Sequence, residues 1–414
     1  MTRTTNDLEQ AESNNPGNPP LRQAVISPPV ERIFSPDFVF ATLANFFNSF
    51  SSQMLVATLP VYVISLGGSH TEAGLVSGAL AFTALLLRPL IGWITDAWKR
   101  RPLILIGTSC YGLASIVYAL TTSIPTLLLG RIVHGFGLCC YTTASNAYVI
   151  DITPRRCRAE AIGLFTATNA LGLIIGPAVG FSVVFAFGFQ NLFYFSAALT
   201  LVACFVSFFT RERRQKPPGK RQPWTPRNGI IAIDALAVAW TSLCLGLGFG
   251  SNNAFISIFA ESRGVGNPGL YFTVQAIGLL ISRTFSGRLA DRRGRAFAII
   301  PGVIAMALGL TLLPMAYDFF HFMISAALFG LGFGTAQPAT MALLVDKVRP
   351  EQQGLGVSTY FAGFDGGIFL GSLGFGLVSE NWGFGIAWPF AAICTLLGLA
   401  GLLDKRRKDA SFDL

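Results

Sequence analysis

Long apolar stretches dominate this 414-residue chain and restrict it to a membrane fold. Each is long enough, as a helix rising 1.5 Å per residue, to cross about 30 Å of hydrocarbon. Charged residues make up only 12% of the chain, against roughly 25% in soluble domains. The stretches are continuous, whereas the strands of a membrane barrel would be short and alternating. We therefore predict an all-α membrane protein with twelve transmembrane helices at residues 37–65, 72–94, 102–121, 124–149, 159–184, 189–210, 229–260, 269–287, 296–315, 319–345, 355–378 and 382–403.

The second half of the chain repeats the first at an offset of 195 residues. Segment 88–96, Arg-Pro-Leu-Ile-Gly-Trp-Ile-Thr-Asp, returns at 283–291 as Arg-Thr-Phe-Ser-Gly-Arg-Leu-Ala-Asp, and a basic cluster follows each copy. The same offset carries Gly135 onto Gly330, Gly137 onto Gly332, Asp151 onto Asp346, Gly172 onto Gly367 and Gly176 onto Gly371. Two pseudo-symmetric six-helix bundles are predicted, and in an apolar chain such halves point to a transporter whose substrate site lies between them.

The basic residues predict the orientation in the membrane. If both termini are cytoplasmic, the cytoplasmic segments hold 26 of the 30 Lys and Arg residues, and the outer loops hold only Arg263. Basic residues resist translocation, so this imbalance places both termini on the cytoplasmic side of the inner (plasma) membrane. We assign the net charge of +9 to orientation and to contact with anionic lipid rather than to nucleic acid.

Composition also predicts the domain boundaries. Residues 1–36 are rich in Asn, Pro and Ser and contain no apolar run, which indicates a disordered cytoplasmic tail rather than a signal peptide. The remaining segments are an N-terminal bundle at 37–210, a basic proline-rich cytoplasmic linker at 211–228, a C-terminal bundle at 229–403 and a cytoplasmic tail at 404–414.

We expect a monomer without an obligate protein partner. The spans show no metal-ligand cluster and no nucleophile–base pair, so no enzyme is predicted.

The basic loops carry a motif that makes the chain resemble the major facilitator superfamily of secondary transporters over residues 37–403. The family pattern between helices 2 and 3 reads G-x-x-x-D-[RK]-x-G-[RK]-[RK]. The first copy has Gly92 and Asp96 but departs from the pattern at Ala97 and Lys99, whereas the second copy keeps Gly287, Asp291 and Gly294. One such motif is weak evidence, but two at matching positions in a duplicated chain are specific.

A gating role is predicted for these two loops. Gly92 and Gly287 would let two helices approach closely, and Asp96 and Asp291 could accept hydrogen bonds from a neighbouring helix N-terminus or pair with the following bases. Such contacts would tie the halves together while the site faces outward, and they would break when it opens inward. The alternative is that the bases only set the topology.

Helix 4 carries a buried base in the segment Arg131-Ile-Val-His134-Gly-Phe-Gly, which resembles the family pattern R-x-x-[QH]-G-x-G. The counterpart of Arg131 in the second half is Ala326, so the charge is not part of the repeat. A buried guanidinium costs at least about 2.5–3.5 kcal/mol, so Arg131 should face a cavity or a partner. It would bind an anion or favour the ionised form of a nearby acid. The alternative is a hydrogen bond to helix carbonyls.

Helix 5 carries the pattern G-x-x-x-G-P-x-x-G, formed by Gly172, Gly176, Pro177 and Gly180. Glycines at this spacing form a flat stripe for close packing, and the proline kinks the helix. The resemblance implies export, because in the superfamily this pattern is typical of the drug:proton antiporter branch. If the stripe serves packing only, a proton-coupled uptake symporter for a sugar, an organic acid or a similar solute is the alternative.

Asp365 is the principal candidate for carrying the proton. It lies about ten residues into helix 11, near the bilayer midplane, and its counterpart is Ala170. Loss of water penalises a carboxylate there, so Asp365 could take up and release a proton; Asp234 is a weaker candidate. Helices 2 and 11 are neighbours in the family, so Arg88 could instead hold Asp365 in a permanent latch between the halves. Both interpretations stay open, and Arg283, the counterpart of Arg88, is grouped with these gating residues.

Substrate contacts are predicted on helices 1, 4, 7 and 10, which line the cavity in the family. The candidates are Asn45, Asn48 and Gln53 on helix 1, Arg131, His134, Tyr141 and Asn146 on helix 4, Asn252 and Asn253 on helix 7, and Gln337 on helix 10. Apart from Asp37 at its first position, helix 1 lacks an acid, which favours a neutral or anionic amphiphile over a cationic drug. We therefore predict proton-coupled export of a small amphipathic or anionic solute by alternating access, with protons as the coupling ion and no other cofactor.

Overall fold

The fold is α-helical throughout the part of the chain that the structure, a computed structural model, describes. The described residues are 34–154, 157–212, 232–349 and 352–400. Nearly all of the predicted N-terminal tail, most of the predicted linker and the predicted C-terminal tail lie outside them. The predicted all-helical membrane architecture is confirmed: eight helices of the described part are long and apolar enough to cross a membrane, when Arg158–Phe208 is counted as one.

The first half contains α1 (Pro36–Ser65), α2 (His70–Ala97), α3 (Arg100–Leu120), α4 (Ile124–Ile152) and the 51-residue helical segment Arg158–Phe208. That last segment is broken at Gly188, where φ is 82° and ψ is 170°. We call its parts before and after this residue α5 and α6. Residues other than glycine rarely adopt such a φ, so the presence of glycine at position 188 explains why the helix breaks there.

The second half begins with a 3₁₀ turn at Ile233–Ala235 and continues with α7 (Leu236–Ser262), α8 (Gly269–Arg293), α9 (Arg295–Leu312), a 3₁₀ turn at Leu313–Met315, α10 (Phe319–Lys347), α11 (Gln353–Trp382) and α12 (Phe384–Leu396). Gly383, with φ 76°, separates α11 from α12 and lies 195 residues after Gly188. The two halves therefore break at equivalent points.

Most helix ends lie within a few residues of the predicted boundaries, but α8 ends six residues later than predicted and α12 seven residues earlier. The largest difference at a helix start is in α7. The predicted span begins at residue 229, whereas α7 begins at Leu236. Asp234 lies in the preceding 3₁₀ turn and is exposed, so its predicted position five residues inside a membrane helix is wrong. The reason is local: the chain enters α7 through an extended residue and a turn, and the apolar run by itself does not reveal where the helical hydrogen bonds begin.

The start of α2 is fixed by a reciprocal cap. The Ser69 hydroxyl oxygen accepts from the backbone N–H of Glu72 at 3.2 Å, and the Glu72 carboxylate accepts from the backbone N–H of Ser69 at 2.8 Å. Two N–H groups that the helix leaves unbonded are thereby satisfied. The cap matters for function because it orients the first turn of α2, which contacts the other half of the molecule.

The repeat is visible in helix packing. A Cβ on Gly107 of α3 would lie 2.6 Å from the backbone nitrogen of Tyr141 on α4, and a Cβ on Gly302 of α9 would lie 2.9 Å from that of Ala336 on α10. Each pair is the other shifted by 195 residues. Close backbone approach at the same point in both halves is what a duplicated structural unit predicts.

The same correspondence holds for two ion pairs. Arg100 at the start of α3 donates through Nε to Asp151 at the end of α4 at 3.2 Å, and Arg295 donates to Asp346 at 2.9 Å between α9 and α10. Both pairs lie at the end of the bundle predicted to be cytoplasmic. The duplication thus extends from backbone packing to the charged side chains that join neighbouring helices.

Candidate functional site

An acid–base pair joins the two halves near the middle of the helices. Arg88 on α2 donates through Nε to Oδ2 of Asp365 on α11 at 2.6 Å, and its guanidinium lies 5.5 Å from the centre of the Phe361 ring. The Asp365 side chain is 7% exposed and that of Arg88 is 34% exposed. The carboxylate is therefore nearly enclosed, while the base reaches open space.

That open space is a cavity of about 230 Å³ between α2, α4 and α11. Its walls are mainly apolar, and Arg88 and Asp365 contribute the charges. The lining residues are Leu85, Arg88, Pro89, Thr143, Val357, Ser358, Phe361, Ala362 and Asp365. An apolar cavity with a few convergent polar groups is the usual form of a small-molecule site.

The halves are closed against each other at the end predicted to face outward, which we call the outer end. There α2 meets α11: a Cβ on Gly376 would lie 2.7 Å from the carbonyl oxygen of His70, and one on Gly74 would collide with that of Ser372. The Glu380 carboxylate also accepts from the backbone N–H of Thr71 at 3.0 Å and from its hydroxyl. This seam leaves no room for a solute.

A second seam closes the outer end between α5 and α8. The Asn267 amide donates to the carbonyl oxygen of Ala178 at 3.1 Å, and the Thr273 hydroxyl donates to that of Ile174 at 2.6 Å. Gly269 packs directly against the backbone of Pro177 and Ala178. The cavity is thus cut off from the side predicted to be outside.

The motif glycines Gly92 and Gly287 face open space in this conformation. A Cβ placed on Gly92 or Gly287 would meet nothing within 4 Å in the described part of the chain. The seams between the halves lie at the other end of the bundle in this conformation. Close helix approach at Gly92 and Gly287 was predicted for the outward-facing state, and it stays a prediction. The side chains of Asp96 and Asp291 lie outside the described part, so their gating role stays a prediction.

Weakening the α2–α11 seam should favour the state that opens outward. Glu380→Gln replaces a carboxylate that caps the N-terminus of α2 with a neutral amide, so we expect the outward-open population to rise roughly two- to fivefold. The measurement is the distance distribution between spin labels at Ser65 and Trp382, which are exposed on opposite halves of the outer end. Glu261→Gln, at the same end, is the control, and an unchanged distribution in Glu380→Gln would contradict the assignment of this contact to the seam.

Gly92→Leu should spare folding and impair transport. The new side chain meets open space here, so thermal stability should stay within about 0.5 kcal/mol. If α2 packs closely at this end in the other state, overpacking costs that state about 1–3 kcal/mol and transport falls about tenfold or more. Unfolding curves and solute uptake into vesicles measure both effects. Gly163→Leu, at an equally open glycine outside the motif, serves as control; equal transport by both variants would argue against the gating role.

Arg131 is enclosed within the first half rather than exposed to the cavity. It is 1% exposed, and its Nε and Nη1 have no hydrogen-bond partner among the described residues. The hydroxyl of Tyr118 is near the Arg131 guanidinium and lies 3.4 Å from Nδ1 of His134. No motif marks Tyr118 on α3, so it was not among the predicted residues. The predicted binding roles of Arg131 and His134 stay predictions.

Two of the predicted substrate contacts in the first half join helices instead of facing the cavity. The Asn45 amide on α1 donates to the Phe165 carbonyl at 3.1 Å and to the Thr168 hydroxyl at 2.7 Å, both on α5. The Asn48 amide donates to the Thr108 hydroxyl on α3 at 3.1 Å. Three further predicted contacts are also engaged within the first half. Tyr141 is 2% exposed, and Asn146 donates to the Thr142 carbonyl of its own helix at 2.7 Å. Gln53 is partly buried beside Gly176. Ligand binding by these residues stays a prediction.

Asn252 belongs to a buried polar network in the second half. Its amide nitrogen donates to Oε1 of Gln275 at 3.1 Å, and its oxygen accepts from the Tyr271 hydroxyl at 2.9 Å. The Tyr271 hydroxyl also lies 3.4 Å from that of Ser325. Sequence reasoning missed this network, although Gln275 in the middle of an apolar span was a signal for it. Asn253 is partly buried next to Asn252.

The predicted glycine stripe of α5 packs against α1. A Cβ on Gly172 would lie 2.5 Å from the Ser49 hydroxyl oxygen, and one on Gly176 would lie 2.9 Å from Gln53 Cβ. Gly180 meets Met54 in the same way at 3.2 Å. The stripe thus holds α5 against its own half, while the backbone of Pro177 and Ala178 contacts Gly269 of α8. In the described part, no group of three His, Cys, Asp or Glu side chains is placed to hold a metal ion.

Comparison with known proteins agrees with this architecture. The family model of the Major Facilitator Superfamily matches residues 41–271 and 238–412. An uncharacterized transporter of this type from Methanocaldococcus jannaschii is 23% identical over 86% of this chain and 94% of its own length, and multidrug resistance protein 2 of Bacillus subtilis is 23% identical over 89% and 96%. The crystal structure of the nucleoside transporter NupG superposes with a TM-score of 0.74 at 15% identity, covering 88% of this chain and 99% of that one. The chain is a multi-pass membrane transporter and belongs to the Major Facilitator Superfamily.

Proposed function

We propose that the protein exports a small amphipathic or anionic solute from the cytoplasm in exchange for protons. The observation that carries this proposal is the Arg88–Asp365 pair, an acid and a base from opposite halves at the wall of a cavity closed at its outer end. In a transporter, a charge pair between the halves can couple proton binding to the relative position of those halves.

The coupling follows from the chemistry of the pair. As a carboxylate, Asp365 accepts a hydrogen bond from Arg88 and holds α2 against α11. When Asp365 takes a proton, the ionic part of that attraction is lost and Arg88 is left as an unpaired cation beside the cavity. The energetic cost of that free cation favours either reopening toward water or binding of a solute. Latch and carrier are then two states of one residue.

The proposal includes the membrane arrangement. We infer twelve spans in the inner (plasma) membrane with both termini in the cytoplasm, a monomeric transporter and no cofactor besides protons. The Gly188 break, which divides Arg158–Phe208 into two segments, supports the number of spans. The concentration of Lys and Arg in alternate loops supports the orientation. On this orientation, the cavity beside Arg88 belongs to a state that opens toward the cytoplasm.

The direction of transport rests on two kinds of support. The glycine–proline pattern of α5 resembles that of exporters, and relatives that cover most of the chain are named for multidrug resistance. One of these relatives is multidrug resistance protein 2 of Bacillus subtilis. The solute of this chain follows from its own polar groups: α1 carries amides and no acid beyond Asp37 at its first turn, which suits a neutral or anionic solute better than a cation.

Proton flux in everted membrane vesicles tests the proposal. The vesicles are loaded with a pH-sensitive dye, and amphipathic solutes of each charge are added to the exposed cytoplasmic face. We expect at least one of them to collapse an inside-acid gradient only in vesicles that contain the protein. If no solute does so, and solutes supplied at the opposite face carry protons in the same direction as themselves, the protein is an uptake symporter and the proposal fails.

A further inference from the structure

We infer that Arg283 on α8, together with Gln337 on α10, binds the anionic group of the transported solute. This inference rests on the proposed function and narrows its substrate to compounds with a carboxylate or a similar oxyanion on an apolar body. The resemblance to transporters assigns no ligand to Arg283. The inference comes from comparing the two halves of this chain residue by residue.

Arg283 occupies the position in the second half that Arg88 occupies in the first. Arg88 is neutralised by Asp365, at 2.6 Å. The residue that would neutralise Arg283 by the same symmetry is 195 positions before Asp365, and it is Ala170. The duplication therefore kept the base in both halves and the acid in only one.

The contacts of Arg283 agree with this comparison. Its Nη2 donates to Oε1 of Gln337 at 3.4 Å, a long hydrogen bond to a neutral amide. The arginines that form ion pairs in the described part are Arg88, Arg100 and Arg295, and Arg283 is not among them. Arg283 is also exposed. A guanidinium so placed has donors that a ligand can reach.

The position of Arg283 along α8 makes the unpaired charge costly. It lies eight residues before Asp291, or about 12 Å along the helix. A cation at that depth is expected to pair with something or to face water. Leu280, about one helical turn before Arg283 on the same face, is exposed and apolar. A ligand that contacts the charge therefore also meets an apolar side chain.

The geometry of the two polar groups selects the ligand class. A guanidinium presents parallel N–H donors that match the two oxygens of a carboxylate, phosphate or sulfonate. The Gln337 amide can add an N–H donor beside them when it rotates. Arg131 is a weaker candidate for this task in the present conformation because it is 1% exposed, and Arg88 is already occupied by Asp365.

A lipid phosphate shares this oxyanion chemistry, so the test must separate a solute from a lipid. The protein is purified into nanodiscs of zwitterionic phosphatidylcholine, and intrinsic fluorescence follows binding of 2-naphthoate and of 2-naphthamide, which have the same shape and differ in charge. We expect the wild type to bind the carboxylate about tenfold more tightly than the amide. Arg283→Gln should remove this preference, and Arg283→Lys should keep part of it.

The control variant is Arg158→Gln, which removes a base from the start of α5 and should keep the full preference. The inference is overturned if the wild type does not prefer the carboxylate, or if Arg283→Gln retains the preference. It is also overturned if Arg283→Gln lowers only the amount of phosphatidylglycerol that copurifies, because the base then holds lipid. If only neutral solutes drive proton flux, the role of Arg283 in binding an anionic solute is contradicted, whereas proton-coupled export is not.

Discussion

Asp365→Asn is expected to abolish proton-coupled transport while leaving a folded protein that still equilibrates solute downhill. The asparagine can keep a hydrogen bond to Arg88 but cannot release a proton. Groups that transfer protons typically contribute a factor of about 10²–10⁴ to a rate, so we expect the solute-driven proton flux to fall at least about 100-fold. Asp365→Glu, which keeps the carboxyl group, should retain most of the flux.

The matched measurements are proton flux and counterflow of labelled solute in the same proteoliposomes. Counterflow needs both conformations but no net proton movement, so it should survive in Asp365→Asn. Asp318→Asn is the control, because Asp318 is an exposed acid that caps α10 outside the proton route. If Asp365→Asn carries normal proton flux, Asp365 is a latch and another group carries the proton.

The free energy of unfolding tests whether Arg88 and Asp365 stabilise each other. Removing one partner of a fully buried pair costs about 3–5 kcal/mol, and here the cost should be smaller because the Arg88 side chain is 34% exposed. We expect a loss of about 1–3 kcal/mol in Asp365→Asn. Arg88→Gln combined with Asp365→Asn should recover most of it, since no unpaired charge remains. Thermal unfolding in detergent measures both variants, and a double variant no more stable than the single one would mean that the pair is not coupled.

The length of the apolar runs predicted the helices, whereas the Arg88–Asp365 contact needed more than the sequence pattern. Asp365 stands out because Ala170 fills its equivalent position. Its pairing with Arg88 followed from the resemblance, which implies that helices 2 and 11 are neighbours. The structure adds the distance, the enclosure of the carboxylate and the cavity beside it.

The substrate contacts could not be predicted in the same way. Asn45 and Asn252 are polar residues on predicted cavity helices, yet their partners are side chains and carbonyls on α5 and α8. Which side of a helix faces a neighbour depends on packing, and an amide in a largely apolar helix gives no direction by itself. The role of Gly92 stays a prediction for a related reason. A glycine can serve contacts in one conformation and meet open space in another.

Gly367→Leu is expected to prevent folding of the second half. A Cβ on Gly367 would collide with the backbone carbonyl of Leu243 on α7, and a backbone atom cannot turn aside as a side chain can. Overpacking a core costs about 1–3 kcal/mol when side chains yield, so we expect at least about 3 kcal/mol here or no folded protein. The yield of monodisperse protein and its unfolding temperature are the measurements.

Because the chain is duplicated, an equivalent variant can be made in the first half, and each half offers a control. Gly172→Leu should act similarly but more mildly, since the nearest atom to its Cβ, at 2.5 Å, is the Ser49 hydroxyl, which can rotate away. Gly374→Leu on α11 and Gly163→Leu on α5 place the same side chain on the same helices where nothing lies within 4 Å, and both should fold normally. If Gly367→Leu folds as well as Gly374→Leu, close backbone packing of α7 and α11 is not what holds the second half together. The expected milder loss in Gly172→Leu than in Gly367→Leu would mean that the two halves share a fold but differ in whether a side chain or the backbone closes this contact.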